Sequence, residues 1–273
     1  MPKPFLSSVG RPGPWLVAHR GGSRLAPENT FSAFDVATRL DADCVETDVR
    51  RTRDGAVVIF HDDATARITG VPGTIEARSL VEVQALDAGF SFTPDGGATY
   101  PWRCRGVTVP TLAEALARYP AMRFNVDAKG EEEALAEALV AVVRAAGAVD
   151  RVCLGSFHDE QGSRLRALLP EAAHFLSQGS ATQHVMAARA GAAPASAPGG
   201  YDLADMPHRH GDMLVVDEPL VRHFHALGIA VHVWTVDDEA DMRALLGIGV
   251  DGIITDRPDV LARMLGRVGQ AGK

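Results

Sequence analysis

Eight short apolar runs rich in β-branched residues, "WLVAH", "CVETDV", "RFNVDA", "VCLGS", "AHFLS", "MLVVD", "VHVWTV" and "GIITD", recur along the chain with helix-patterned stretches between them. Such alternation makes a parallel sheet with crossover helices, and eight strands close a barrel. The expected fold is α/β, a TIM (β/α)8 barrel, and 273 residues is the length of one such unit. We expect one barrel domain over residues 1–273. "TFSAFDVATRL" puts Phe31, Phe34 and Thr38 on one helical face, and "EEEALAEALVAVVRAAG" does the same with Leu135, Leu139, Val142 and Val143. An open doubly wound sheet would read similarly, but no GxGxxG follows the first strand.

Three stretches depart from the pattern. "AVVIFHD" at 56–62 follows the second run too closely for a parallel crossover, and Asp54-Gly55 is a turn signal. It is expected to return antiparallel as a hairpin arm, bringing His61 roughly opposite Asp48. Residues 63–110 are turn-rich and too long for an ordinary loop, so they form a small insertion, the candidate cover of the barrel mouth. Residues 191–212, rich in Ala, Pro and Gly, read as a surface excursion.

Composition removes several function classes. A net charge of −8 leaves no basic stripe for a phosphate backbone, so nucleic acid is not an expected partner, and an anionic membrane surface is disfavoured. No stretch reaches the ~18 apolar residues of a membrane span, and "MPKPFLSSVGRPGPW" has no signal-like apolar core. Cys44, Cys104 and Cys153 are far apart and form no CxxC pair. These features point to a cytoplasmic protein with free thiols and no stable membrane anchor; the oligomeric state is not legible.

The chemistry gathers in a few places. Glu46 and Asp48 are two apart in a strand, so both point the same way, and like charges about 7 Å apart or less repel unless a cation lies between them. Asp127, with Lys129 two residues on, adds a third carboxylate from the next barrel strand. All-oxygen ligands suit a hard ion, Mg²⁺ or Ca²⁺. Arg20 and Lys129 at the same end would serve a phosphoryl group, and His19 and His61 would move protons both ways.

The runs "AHRGGSRLAPENTFSAF", "ETDVRRTRDGAVVIFHD", "VPTLAEAL", "VWTVDD" and "ITDRP", in this order over nearly the whole chain, resemble the glycerophosphodiester phosphodiesterase family, of the phosphatidylinositol phospholipase C-like superfamily. The resemblance implies a barrel with one divalent cation, Mg²⁺ or Ca²⁺, between the carboxylates. It implies His19 and His61 as the acid/base pair, Glu46 and Asp48 as metal ligands, and Arg20 and Lys129 as phosphate contacts. The family's third ligand is usually a glutamate; Asp127 is one methylene shorter, which admits a water-bridged contact. Glu28 and Asn29 are expected to hold the histidines or metal waters, while Asn29 or Thr30 caps the following helix. Trp234 and Phe157 are expected to line the substrate pocket, with Ser156 beside the latter.

Other residues are expected to be structural. His232 reads as a satisfied interior histidine, His208–His210 as a solvated turn, and "TDRP" as a helix start with Asp256 capping and Pro258 in the first turn. The implied activity is hydrolysis of a small glycerophosphodiester to sn-glycerol 3-phosphate and an alcohol such as choline or ethanolamine. The attacking oxygen is either water or the substrate's own hydroxyl. The rivals are a lysophospholipase D or sphingomyelinase D-like enzyme, with Phe90, Phe92, Tyr100 and Trp102 as an apolar rim, and a catalytically inactive barrel that binds phosphodiesters.

Overall fold

The computed structural model describes residues 3–7, 13–191 and 199–267. The barrel strands are β1 (Trp15–His19), β2 (Cys44–Arg51), β4 (Arg123–Ala128), β5 (Val152–Gly155), β6 (Ala173–His174), β7 (Leu203–Pro207), β10 (Ala230–Trp234) and β11 (Gly252–Thr255). Parallel neighbours run β6-β5-β4-β2-β1-β11-β10-β7, and the two ends meet at a bridge between Phe175 and Leu203. β3 (Val57–Ile59) pairs antiparallel with β2, and β8 (Arg209–His210) with β9 (Met213–Leu214) forms a separate small hairpin.

Helices fill the gaps: α1 (Phe31–Arg39), α2 (Ala66–Thr69), α3 (Leu80–Gln84), α4 (Leu112–Arg118), α5 (Glu133–Ala145), α6 (Asp159–Leu168), α7 (Gln178–Arg189), α8 (Glu218–Ala226), α9 (Glu239–Gly247) and α10 (Pro258–Met264). Their starts are written locally, as where Thr30 caps α1 and where Thr111 and Glu114 close a capping box on α4. α5 buries Leu135, Leu139 and Val143 as expected, whereas Val142 is only half-buried. The buried face of α1 is Ala33, Phe34 and Ala37; Thr38 is exposed, its hydroxyl donating to Phe34 O at 2.8 Å. No described helix is long and apolar enough to cross a membrane.

Strand alternation sorts the side chains into two compartments. Val45 and Val49 of β2 and Phe124, Val126 and Ala128 of β4 point outward into the layer shared with α1, α4 and α5. Val17, Cys44, Cys153, Leu203 and Ile254 form an apolar floor together with Phe5. Above that floor the inward positions become polar, with Asn125 and His232 buried and Asp205 partly so. Burial pushes the Cys44 and Cys153 thiols far up, which makes them inert.

The seventh strand is not "MLVVD". It is Leu203–Pro207, in register with β10 from Leu203 opposite Ala230 to Pro207 opposite Trp234. Met213 and Leu214 belong to the outer hairpin, and Val215 and Val216 are buried where the chain enters α8. The apolar-run signal fails there because this strand turns a carboxylate, Asp205, into the barrel and sits in an Ala- and Gly-rich context. Of the expected excursion at 191–212, residues 192–198 lie outside the described residues.

The hairpin arm forms as expected. Val49 pairs with Ile59, and Phe60 N donates to Asp48 O at 2.9 Å, so His61 stands one position beyond Asp48's direct partner. Beyond it the insertion carries α2 and α3 on its own small core, Val58, Phe60, Ile68, Ile75, Val83, Ala88 and Val109. The buried Arg50 guanidinium ties this unit to β2: it donates to His61 O at 3.1 and 3.0 Å and to Glu76 at 3.0 Å, and it pairs with Asp63.

Candidate active site

The side chains expected to be functional collect toward the carboxyl ends of β1, β2 and β4, the end of a parallel barrel where loops can meet over the axis. After His19 the chain turns sharply, with Arg20 at φ 49° and Gly21 at φ 85°. A Cβ on Gly21 would lie 2.7 Å from the Cβ of Ala33, so glycine lets α1 start directly beneath the turn. Asn29 N then donates to Arg20 O at 2.9 Å, folding "PENT" back over "HR".

The duties expected of "PENT" fall to separate residues. Thr30 caps α1. Buried Asn29 donates through Nδ2 to Asp48 at 2.9 Å and accepts from Thr47 Oγ1 at 2.7 Å. Glu28 accepts from Arg20 Nη1 at 2.8 Å.

Asp48 is the electrostatic centre. Lys129 Nζ stands 3.0 Å from one oxygen, and Arg20 Nε is 3.3 Å from the other without hydrogen-bond alignment. Burial opposes its charge, but Lys129, Arg20, His61 and the Asn29 hydrogen bond hold its carboxyl far below the usual range. Glu46 goes the other way: burial and the neighbouring Asp48 push it well above the usual carboxylate range. Its Oε2 accepts from Arg20 N at 3.3 Å.

Asp127 gives one oxygen to Lys129 Nζ at 2.7 Å, and its other oxygen is buried with no partner. Among the described residues no trio of His, Cys, Asp or Glu converges as a ready-made metal cage. A hard divalent cation nevertheless fits the chemistry. The donors are carboxylate oxygens; Glu46 resists ionising beside Asp48 and Asp127 Oδ1 lacks a partner, and an added positive charge relieves both.

Both histidines are tied by Nδ1 to an aspartate. His19 bonds Asp256 Oδ1 at 2.6 Å, and His61 bonds Asp62 Oδ1 at 2.7 Å. Asp256 does not cap α10, whose N-cap is Arg257 with no side-chain cap bond; Pro258 begins the helix as expected. Asp256 instead holds His19 while its own N–H donates to Asp237 at 2.9 Å. Asp256 and Asp62 are the site residues that sequence reasoning missed. The signal for Asp62 was its adjacency in "FHD"; for Asp256 no local signal distinguishes a cap from a partner.

Trp234 ends β10 partly exposed, and Phe157 follows β5 half exposed, both at the carboxyl ends of their strands. Ser156 is structural: its hydroxyl is buried and donates to Ala128 O at 2.7 Å. His232 is interior, as expected, but not satisfied. Burial pushes it down to about 4, Trp15 lies against its ring, and Nδ1 has no hydrogen-bond partner, with Asp205 Oδ1 3.7 Å away. Asp205, pushed up to about 7 by burial, accepts from Asn125 Nδ2 at 2.6 Å. The stretch His208–His210 is not the solvated turn expected: His208 is largely buried 3.7 Å from Asp241, its N–H donates to Trp234 O at 2.9 Å, and the exposed Arg209 and His210 form β8.

The profile of the Glycerophosphoryl diester phosphodiesterase family matches residues 19–260. A Mycobacterium tuberculosis protein named "Probable glycerophosphodiester phosphodiesterase 2" is 34% identical over 265 residues, covering 96% of this chain and 93% of its own length. A glycerophosphodiester phosphodiesterase of Caldanaerobacter subterraneus subsp. tengcongensis is 30% identical over 261 residues, with 93% of this chain and 98% of its own covered. A phosphodiesterase of Oleispira antarctica, solved in complex with the product sn-glycerol-3-phosphate, superposes with a TM-score of 0.73 at 27% identity, covering 93% of this chain and 96% of that one.

Proposed function

The chain belongs to the glycerophosphoryl diester phosphodiesterase family, and we propose that it splits glycerophosphodiesters into sn-glycerol 3-phosphate and a free alcohol, with His19 and His61 moving the protons. The product held by the Oleispira antarctica phosphodiesterase supports the substrate class. One observation carries the residue assignment: at one end of the barrel, two imidazoles engaged at Nδ1 by aspartates stand by Asp48 with its two cations.

With Nδ1 donating to a carboxylate, each ring has the tautomer that leaves Nε2 for the substrate. Arg20 and Lys129 meet the charge of the phosphoryl oxygens. One histidine accepts the proton of the attacking oxygen as the new P–O bond forms; the other donates a proton to the departing alkoxide as the old P–O bond breaks. Glu46, Asp48 and Asp127 would hold a divalent cation, Mg²⁺ or Ca²⁺, which when bound polarises the phosphoryl oxygens. Trp234 and Phe157 offer aromatic faces to the alcohol. The free thiols Cys44, Cys104 and Cys153 agree with a cytoplasmic setting.

A small water-soluble diester is favoured over a lysolipid by the insertion. Of its four rim aromatics only Tyr100 is exposed, and Arg103 lies 4.0 Å above that ring and 4.1 Å above Phe90. The test is release of glycerol phosphate from glycerophosphocholine and from lysophosphatidylcholine, with Mg²⁺, Ca²⁺ or Mn²⁺ supplied. Cleavage of the first and not the second is expected. No release from any of several diesters, with His19→Ala binding them as well as the parent does, overturns the enzyme reading in favour of a binding barrel. Cleavage of a substrate lacking the 2-hydroxyl separates attack by water from attack through a cyclic phosphate.

A further inference from the structure

The helix α2 is a single turn, yet it delivers one guanidinium to both arms of the site. Arg67 donates to Asp62 through Nε at 2.5 Å and Nη2 at 2.8 Å, and to Glu28 through Nη1 and Nη2, each at 2.8 Å. Glu28 lies 39 positions before Arg67 in sequence, whereas Asp62 lies only 5 before it. Each has an oxygen already in use: Glu28 Oε1 also accepts from Arg20 Nη1 at 2.8 Å, and Asp62 Oδ1 also holds His61 Nδ1 at 2.7 Å.

We propose that Arg67 is a positioning residue of the hydrolysis, clamping Glu28 and Asp62 together so that phosphate-facing Arg20 and proton-carrying His61 keep a fixed spacing. The proposal rests on the roles given to Arg20 and His61 above. The relay Arg20–Glu28–Arg67–Asp62–His61 alternates in sign, so every carboxylate lies between cationic or proton-donating neighbours. Arginine suits the middle because its planar fork can grip two carboxylates bidentately, which a lysine cannot. Removing it frees two largely buried carboxylates to take new partners, and each carries a functional group with it. The Arg67 side chain is half exposed, so the clamp adds little to folding stability. The insertion thus supplies part of the catalytic frame as well as a cover.

Arg67→Met is expected to lower kcat/KM by about 10- to 100-fold, the usual range for residues that orient functional groups. Both parameters move, because both arms loosen. Glu28→Gln acts mainly on KM through Arg20, and Asp62→Asn mainly on kcat through His61. Combined with Arg67→Met, either adds less than its single effect multiplied in. Arg67→Lys recovers only part of the loss, the thermal midpoint stays near that of the parent, and Arg53→Met, which breaks a contact of the hairpin turn with Glu82 of the same insertion, leaves turnover unchanged. Glycerophosphocholine with Mg²⁺ is the assay, and ¹⁵N NMR of the His61 ring is a second readout that needs no turnover. A fixed Nδ1–H tautomer in the parent and mixed tautomers in Arg67→Met support the clamp. Parent-like kinetics in Arg67→Met, multiplicative double variants, or an unchanged His61 tautomer overturn it. If the parent itself releases no glycerol phosphate, the hydrolytic reading falls, while the NMR result still decides the clamp.

Discussion

His19 ends a barrel strand and reaches Asp256 across 237 positions of chain, whereas His61 stands on the hairpin arm and binds Asp62, its sequence neighbour. The two bonds are of nearly equal length, but the surroundings are opposite. His19 is the more buried of the two and faces Glu46, 3.8 Å from its Nε2. Burial works against its charge, but the Asp256 bond and Glu46 outweigh it, so its pKa is raised. For His61, burial with Arg20 and Lys129 outweighs Asp48 and Asp62, so its pKa is lowered. The same imidazole–carboxylate couple therefore binds its proton more tightly in one place than in the other. The difference teaches that the proton state belongs to the neighbours that barrel closure supplies, and that His61, with only a local partner, depends on Arg50 and Arg67 for its position.

The hardest test of that comparison removes each ring in turn. His19→Ala and His61→Ala should each cost about 10²- to 10⁴-fold in kcat, read as initial rates of glycerol phosphate release; a loss in only one breaks the pairing. Removing the orienting carboxylates sharpens it. Asp256→Asn and Asp62→Asn should each cost about 10- to 100-fold, with the former the larger because it is the group that lifts His19.

A smaller effect is thermodynamic. Glu46 has a folded-state pKa raised above its ordinary value of 4.5, so ionising it in the metal-free protein costs stability progressively as pH rises above that value. The gain in thermal midpoint on adding Mg²⁺ or Ca²⁺ should therefore grow with pH, and Glu46→Gln should flatten that growth. The smallest effect concerns the histidines without added ion. The stability from His19 is fully present below 6.5 and is lost as pH rises through its raised value. His61, with a lowered value, takes stability away as pH falls below 6.5. Unfolding midpoints of the two alanine variants against pH should bend in opposite directions, and parallel curves would erase the contrast.

Much of this site was legible because its geometry is short-range. A spacing of two on a strand puts Glu46 with Asp48 and Asp127 with Lys129, and Asp54-Gly55 fixes a hairpin that must carry His61 back to β2. Asp256, Arg67 and β7 were not legible. Asp256 beside Arg257 and Pro258 looks like a cap in any local reading, and Arg67 is an ordinary charge on a polar turn. The Asp205 strand lacks the apolar run by which a buried strand is usually known. The unsatisfied His232 Nδ1 escaped for a related reason, since alternation says which side a ring faces but not whether an acceptor waits there.

Sequence alone determined the alternation of strand and helix, the inward columns of polar side chains, the reversed arm, and the gathering of Asp48, Arg20, Asp127 and Lys129 at one end of the barrel, because periodicity and turn chemistry act between residues a few positions apart. Only the tertiary structure decided which carboxylate meets which cation: closure of the ring puts Asp256 on His19, and docking of the insertion puts Arg67 between Glu28 and Asp62. The Asp256 contact helps raise the pKa of His19, while burial, Arg20 and Lys129 lower that of His61, because electrostatic energy depends on distance and burial, and separation along the chain sets neither.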